Sequence, residues 1–200
     1  MILYPLSLLF GFLLGAIPTG YLISKGKGVD IRKYGSGNIG ATNVARALGK
    51  KMGTLVLLTD VTKGFVPCYL ASRYDLRYGI LAGTGAVVGH TFTPFLKFKG
   101  GRGVATALGS VLGLMPVAGL LCVATWVLVV VLFRYISLAS ISGAIALPFW
   151  VYGVGRFSGA VSHVRLILAL FISVLVVIRH VPNVRRLLRR EEPKFHLRCR

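Results

Sequence analysis

Acidic side chains are scarce in this chain: five Asp and Glu stand against 24 Lys and Arg among 200 residues. Charged residues of both signs reach only 14%, about half the usual soluble share, and they form short islands between long apolar runs. With 55% hydrophobic residues and a mean hydropathy of +0.76, this excludes an ordinary soluble domain and points to an integral membrane protein. Cysteine is equally scarce. Cys68 and Cys122 lie in apolar runs and Cys199 in the tail, an odd and scattered set that excludes a disulfide framework. No linker, low-complexity tract or repeat divides the chain, so residues 1–200 read as a single polytopic domain. The first run, MILYPLSLLFGFLLGAIPTG, has neither a basic start nor a small-residue cleavage site and reads as a retained span.

What is present is apolar sequence in lengths suited to a bilayer. Runs near 2–24, 54–72, 79–98, 104–133, 138–155 and 162–178 mostly approach the roughly 20 residues a helix needs to cross about 30 Å. The fourth is too long for one span and carries Gly113-Leu114-Met115-Pro116 at its centre. Splitting it at Pro116 gives seven spans and places 19 of the 24 Lys and Arg on one side, in loops 25–53, 97–103 and 134–137 and in the tail. The positive-inside rule prefers this arrangement. The expected fold is therefore all-α, with about seven transmembrane helices, the amino terminus outside, the carboxyl terminus cytoplasmic, and the Gly-rich loops facing the cytoplasm. The +19 charge orients the chain in this reading. Nucleic acid is not an expected partner, because the basic tail has one aromatic, Phe195, and no base-stacking platform.

Two of the cytoplasmic loops have the same make-up. The first, GSGNIGATNVAR (35–46), matches the G-x-G-x-x-G spacing of dinucleotide sites. Its context is wrong for that fold: no strand precedes it, and the acid at the nominal distance, Asp60, lies inside the next span. What survives is a phosphate cradle, in which glycines let amides converge and a helix start adds positive potential. Ser36, Gly37, Asn38, Gly40, Thr42 and Asn43 supply neutral donors and acceptors, and Arg46 supplies a forked cation. The plain alternative is a Gly-rich connection leading into an interfacial helix near 39–48. The second loop repeats the device, with Lys99, Gly100, Gly101 and Arg102 before a helix start at Val104; its plain alternative is a headgroup anchor. Two cradles suggest two phosphates. An anion transporter is the rival reading, but these cations sit at one surface rather than near the midplane.

GSGNIGATNVAR, GHTFTPFLKFKGGRGVAT, RYISLAS and the spacing of His180, Asn183, Arg186 and Leu187 together resemble the bacterial acyl-phosphate:glycerol-3-phosphate acyltransferases, in order and over nearly the whole chain. The resemblance implies a multi-pass enzyme of the bacterial inner membrane with a cytoplasmic active site. It would transfer a fatty acyl group from long-chain acyl phosphate to the 1-hydroxyl of sn-glycerol 3-phosphate, releasing lysophosphatidate and phosphate. Membrane lipid would surround it, an acyl-phosphate-forming enzyme would supply it, and neither metal nor cofactor is implied. Family positions carry over to Ser36, Arg46, Lys99, Ser137, His180 and Asn183, with His180 as hydroxyl orienter or base. The family's usual Lys is Arg102 here, its proline falls at Thr93 with Pro94 next, and Pro182 is unusual.

Of the acids, Asp30 lies in the basic loop, Asp75 in an outer loop, and Glu191 and Glu192 in the tail. Only Asp60 is in a span, three residues before Lys63, as an ion pair or as a polar contact near substrate. His90 reads either as a buried residue bonded to a neighbouring helix or as indirect support of the site. His163 is placed outside and His196 in the tail. Gly11-x-x-x-Gly15 and Gly85-x-x-x-Gly89 read as close helix contacts.

Overall fold

A computed structural model describes residues 2–195; His196 and Cys199 lie outside the described residues. All regular structure within them is helical. The chain forms two compact units that meet in sequence at Leu114–Met115.

The first unit contains α1 (Leu3–Ala16), α2 (Thr19–Gly26), α3 (Ala41–Leu48), α4 (Lys50–Ser72), α5 (Leu76–Thr91) and α6 (Val104–Leu114). Glycines set its close contacts. A Cβ on Gly11 or Gly15 would strike the carbonyls of Ala82 or Ala86, and one on Gly85 or Gly89 those of Leu8 or Phe12. The two glycine pairs thus face each other across α1 and α5, as their spacing implied, and backbone rather than side chain forms the seam. The expected first span is interrupted: α1 stops at Ala16 and α2 starts at Thr19, because Pro18 cannot continue the ladder. The 79–98 run also ends early. α5 closes at Thr91, a 3-10 turn covers Pro94–Leu96, and Lys97 and Phe98 take left-handed φ angles of 52° and 60°.

The second unit contains α7 (Pro116–Phe133), α8 (Ile136–Phe157), α9 (His163–Arg179) and α10 (Val181–Leu188). The overlong apolar run does break before Pro116, at Met115. α9 and α10 meet at a 54° bend.

Among the described residues, four segments are long and apolar enough to cross a membrane: Leu3–Gly26, Lys50–Ser72, Pro116–Phe133 and Ile136–Phe157. The bent α9–α10 pair makes a fifth. α5 has 16 residues and α6 has 11; α6 spans only about 16 Å, roughly half a hydrocarbon core.

Candidate active site

The first loop owes its shape to Asn43. This side chain is 2% exposed. Its Oδ1 accepts the Ser36 amide at 3.1 Å, and its Nδ2 lies 2.9 Å from the Tyr34 and Asn38 carbonyls and 3.2 Å from that of Ile31. Gly35 (φ 51°) passes close over the same Oδ1, where a Cβ would sit 2.5 Å away. Ile31, Ile39 and Val44 anchor the loop in a small apolar cluster with Val56 and Leu96. The Asn43 amide is thus engaged by the loop's own backbone. The Ser36 and Gly37 amides are committed too, to Asn43 and to the Tyr34 carbonyl. The groups the loop can offer an anion are the Ser36 hydroxyl, the Asn38 side chain lying over Gly40, Thr42, the first-turn amides of α3, and exposed Arg46. Asp30 is closed on Arg32, whose hydrogen bonds at 2.9 and 2.8 Å pull its carboxyl down to about 2 and offset that cation locally.

The second loop is held in a similar way. The Gly100 amide donates to Thr91 O and the Gly101 amide to His90 O, each at 3.1 Å. Their lack of side chains serves a close approach: a Cβ on Gly100 would lie 2.7 Å from Thr91 O, and one on Gly101 would collide with the His90 ring. The two glycines therefore seat the loop on the end of α5. Donors remain one turn later, at the start of α6, whose first amides have no carbonyl four residues back. Lys99 is exposed and Arg102 half-buried there. Beside them the hydroxyls of Thr91 and Thr106 are fully buried, with no partner among the described residues. Buried hydroxyls normally find one.

In the second unit, the α9–α10 bend and the start of α8 carry the other residues. His180 caps α9, 2% exposed, and its Nδ1 lies 2.8 Å from Val176 O. A carbonyl only accepts, so Nδ1 holds the proton and Nε2 is the basic nitrogen of the neutral ring. Asn183 follows one turn later, 1% exposed. Its Nδ2 donates to Glu192 Oε1 at 2.7 Å, which fixes the amide's orientation, and its Oδ1 has no partner among the described residues. Arg186 Nε donates to Glu192 Oε2 at 2.7 Å, and the buried Ser137 lies beside the same carboxylate.

Glu192 is the residue the sequence reading missed. Burial pushes its carboxyl up, but the nearby Ser137 hydroxyl, the hydrogen bonds from Arg186 and Asn183, and the Arg186 charge more than offset this and hold its pKa below the ordinary value. The tail closes further through Phe195 N–H, which donates to Arg134 O at 2.6 Å. Glu192 thus joins Ser137 and Asn183, with His180 at the same bend.

Residues 5–190 match the glycerol-3-phosphate acyltransferase family. The chain belongs to this family. A glycerol-3-phosphate acyltransferase of Fusobacterium nucleatum is 46% identical over 187 residues, covering 92% of this chain and 94% of that one. That of Endomicrobium trichonymphae is 42% identical over 200 residues, covering 98% of each. A crystal structure of PlsY, an integral membrane glycerol 3-phosphate acyltransferase in its glycerol 3-phosphate form, superposes with a TM-score of 0.90 at 40% identity, covering 96% of both chains. Its lysophosphatidic acid form gives 0.87 at 39% identity, covering 96% of this chain and 95% of that one. The protein is accordingly an integral membrane glycerol-3-phosphate acyltransferase.

Proposed function

We propose that the acyl donor is a long-chain acyl phosphate, that the acceptor is the 1-hydroxyl of sn-glycerol 3-phosphate, and that the products are lysophosphatidate and inorganic phosphate. The chain works in this reading as one polytopic domain of the bacterial inner membrane with its seven spans and basic loops on the cytoplasmic side, supplied by an acyl-phosphate-forming enzyme. Support for two phosphate ligands comes from two cation-bearing helix starts, one with Ser36, Asn38, Thr42 and Arg46, the other with Lys99, Arg102 and the buried Thr91 and Thr106 hydroxyls. Support for glycerol 3-phosphate and lysophosphatidate comes from the two ligand forms of PlsY.

Acyl phosphate is a mixed anhydride and carries its own activation. The enzyme's task is to hold two anions and bring a hydroxyl to the carbonyl carbon. The observation that carries the assignment is at the α9–α10 bend. His180 keeps its proton on Nδ1, and one turn on Asn183 Oδ1 is a buried acceptor with no partner among the described residues. A glycerol hydroxyl is the donor such a pair suits. Its oxygen attacks the acyl carbonyl, the bond from that carbon to the phosphate oxygen breaks, and phosphate leaves with the electron pair. The hydroxyl proton goes to His180 Nε2 or to a phosphate oxygen, both chemically competent. Ser137 is buried beside the Glu192 carboxylate that the tail supplies and serves in this reading as a site hydroxyl, not as a nucleophile.

Direct transfer has a clear kinetic test. Initial rates with both substrates varied should give intersecting lines, and His180→Ala should slow turnover with no trapped intermediate. Acylated protein that forms at a competent rate when glycerol 3-phosphate is withheld would refute the scheme.

A further inference from the structure

Three ionisable side chains meet inside the first unit and have no part in the chemistry above. Asp60 Oδ1 accepts the Thr19 hydroxyl at 2.6 Å and Lys63 Nζ at 2.8 Å, and lies 3.8 Å from His90 Nδ1. The side chains of Asp60, Lys63 and His90 are 3%, 7% and 5% exposed. Lys63 also donates to the Ile17 carbonyl at 2.9 Å, at the break between α1 and α2. A buried carboxylate needs a further donor beside its cation, which Thr19 supplies, and the His90 imidazole packs against the same oxygen at 3.8 Å, beyond hydrogen-bond reach.

The other side of that imidazole is occupied by the second loop. A Cβ on Gly101 would fall onto Nε2 and lie 2.8 Å from Cε1 and 3.0 Å from Cδ2, so the backbone rests directly on the ring. His90 also receives the Gly101 amide on its carbonyl, and Thr91 receives that of Gly100. The loop is tied to the same helix break a second time, by Thr93 Oγ1 donating to Ala16 O at 2.6 Å. One set of contacts therefore runs from the α1–α2 break through Asp60 and Lys63 to His90, and from His90 to the residues between Lys99 and Arg102.

We propose that Asp60, Lys63 and His90 are positioning residues that set the seat of the Lys99–Arg102 loop and thereby govern the affinity for one phosphate substrate without touching it. This rests on the reading of that loop as a phosphate cradle. A loop displaced from its seat loses alignment of its cation and its helix start toward the anion, while the reacting groups at His180 and Asn183 keep their own local bonds. The signature is a rise in KM for one substrate with kcat preserved.

The test uses the full-length protein in detergent or liposomes, with glycerol 3-phosphate and palmitoyl phosphate varied separately. Variants are His90→Ala, the milder His90→Gln, Asp60→Asn, and Lys99→Ala as a probe of the cradle itself. Ser110→Ala, a buried hydroxyl at the α4–α6 contact, is the stability control. His90→Ala and Asp60→Asn should raise KM for the substrate that Lys99→Ala also affects by roughly tenfold or more, about one charge-assisted hydrogen bond. They should leave kcat and the other KM within about twofold, and His90→Gln should recover part of the loss. Should His90→Ala fail to fold, His90→Gln and Asp60→Asn still decide. The proposal is overturned if kcat falls while KM holds, if both constants change in proportion to lost thermal stability as in Ser110→Ala, or if neither KM moves while Lys99→Ala raises one. An unchanged KM in Lys99→Ala refutes the cradle reading itself, and the positioning role with it.

Discussion

Replacing Glu192 by Gln tests the least expected feature of the structure. The carboxylate receives Asn183 and Arg186 at 2.7 Å each, and its side chain is 6% exposed against 31% for Arg186. A carboxamide in its place would keep an acceptor for one of them, but its NH2 would face a donor. Breaking a buried pair by removing one partner costs about 3–5 kcal/mol, and because Arg186 can rehydrate the lower figure applies, about 3 kcal/mol. For a chain of this size that lowers the unfolding midpoint by about 6 to 12 °C. Glu191→Gln, at an exposed position, should change it by no more than about 1 or 2 °C. The pH dependence follows from the sign of the shift. A carboxylate held below its ordinary 4.5 stabilises the fold fully above that value and loses its contribution as pH falls through the lower folded pKa. The gap between wild type and Glu192→Gln should therefore be full at pH 7 and narrow progressively as the pH falls below 4.5. Thermal unfolding in detergent at several pH values, read by tryptophan fluorescence, gives both numbers. Equal midpoints at pH 7, or a gap unchanged in acid, would refute the buried clasp.

Two further expectations concern the loops and the topology. Arg46→Ala should weaken use of one phosphate substrate by about 10- to 150-fold, the range for a charge-assisted hydrogen bond, with little change in thermal midpoint; Arg46→Lys should recover only part because it loses the fork. Wild-type constants in both variants would remove Arg46 from the cradle. In a cysteine-free background, single cysteines at Lys99, Arg134 and Arg189 should label from the cytoplasm and those at Tyr74 and Ser158 from outside. Labelling of 99 and 134 from opposite sides would contradict the seven-span arrangement.

The sequence and the structure agree where a residue has one physical use. Pro116 opens α7 at the first-turn position where its missing N–H is not needed, whereas Pro67 and Pro148 are carried inside α4 and α8, and the Gly11/Gly15 and Gly85/Gly89 pairs leave grooves only another backbone can fill. They part where one residue has two uses. Gly100 and Gly101 read as part of an anion cradle or a headgroup anchor, and their close approach to His90 and Thr91 is visible only in the structure. Asn43 reads as an exposed polar group until its three carbonyl partners are seen. Pro18 is hidden by apolar sequence on both sides, although it frees the carbonyl that Lys63 uses. Glu192 is hidden by its surroundings in a charged tail, because nothing in linear order shows that the chain turns back from α10 toward Ser137.

The choice of acyl donor tests the central reading most directly. Purified protein in liposomes, given glycerol 3-phosphate and in turn palmitoyl phosphate, palmitoyl-CoA and palmitoyl carrier protein, should release lysophosphatidate and inorganic phosphate in equal amounts from palmitoyl phosphate alone. Product from palmitoyl-CoA or from the carrier protein at a comparable rate, or none from palmitoyl phosphate, would contradict it.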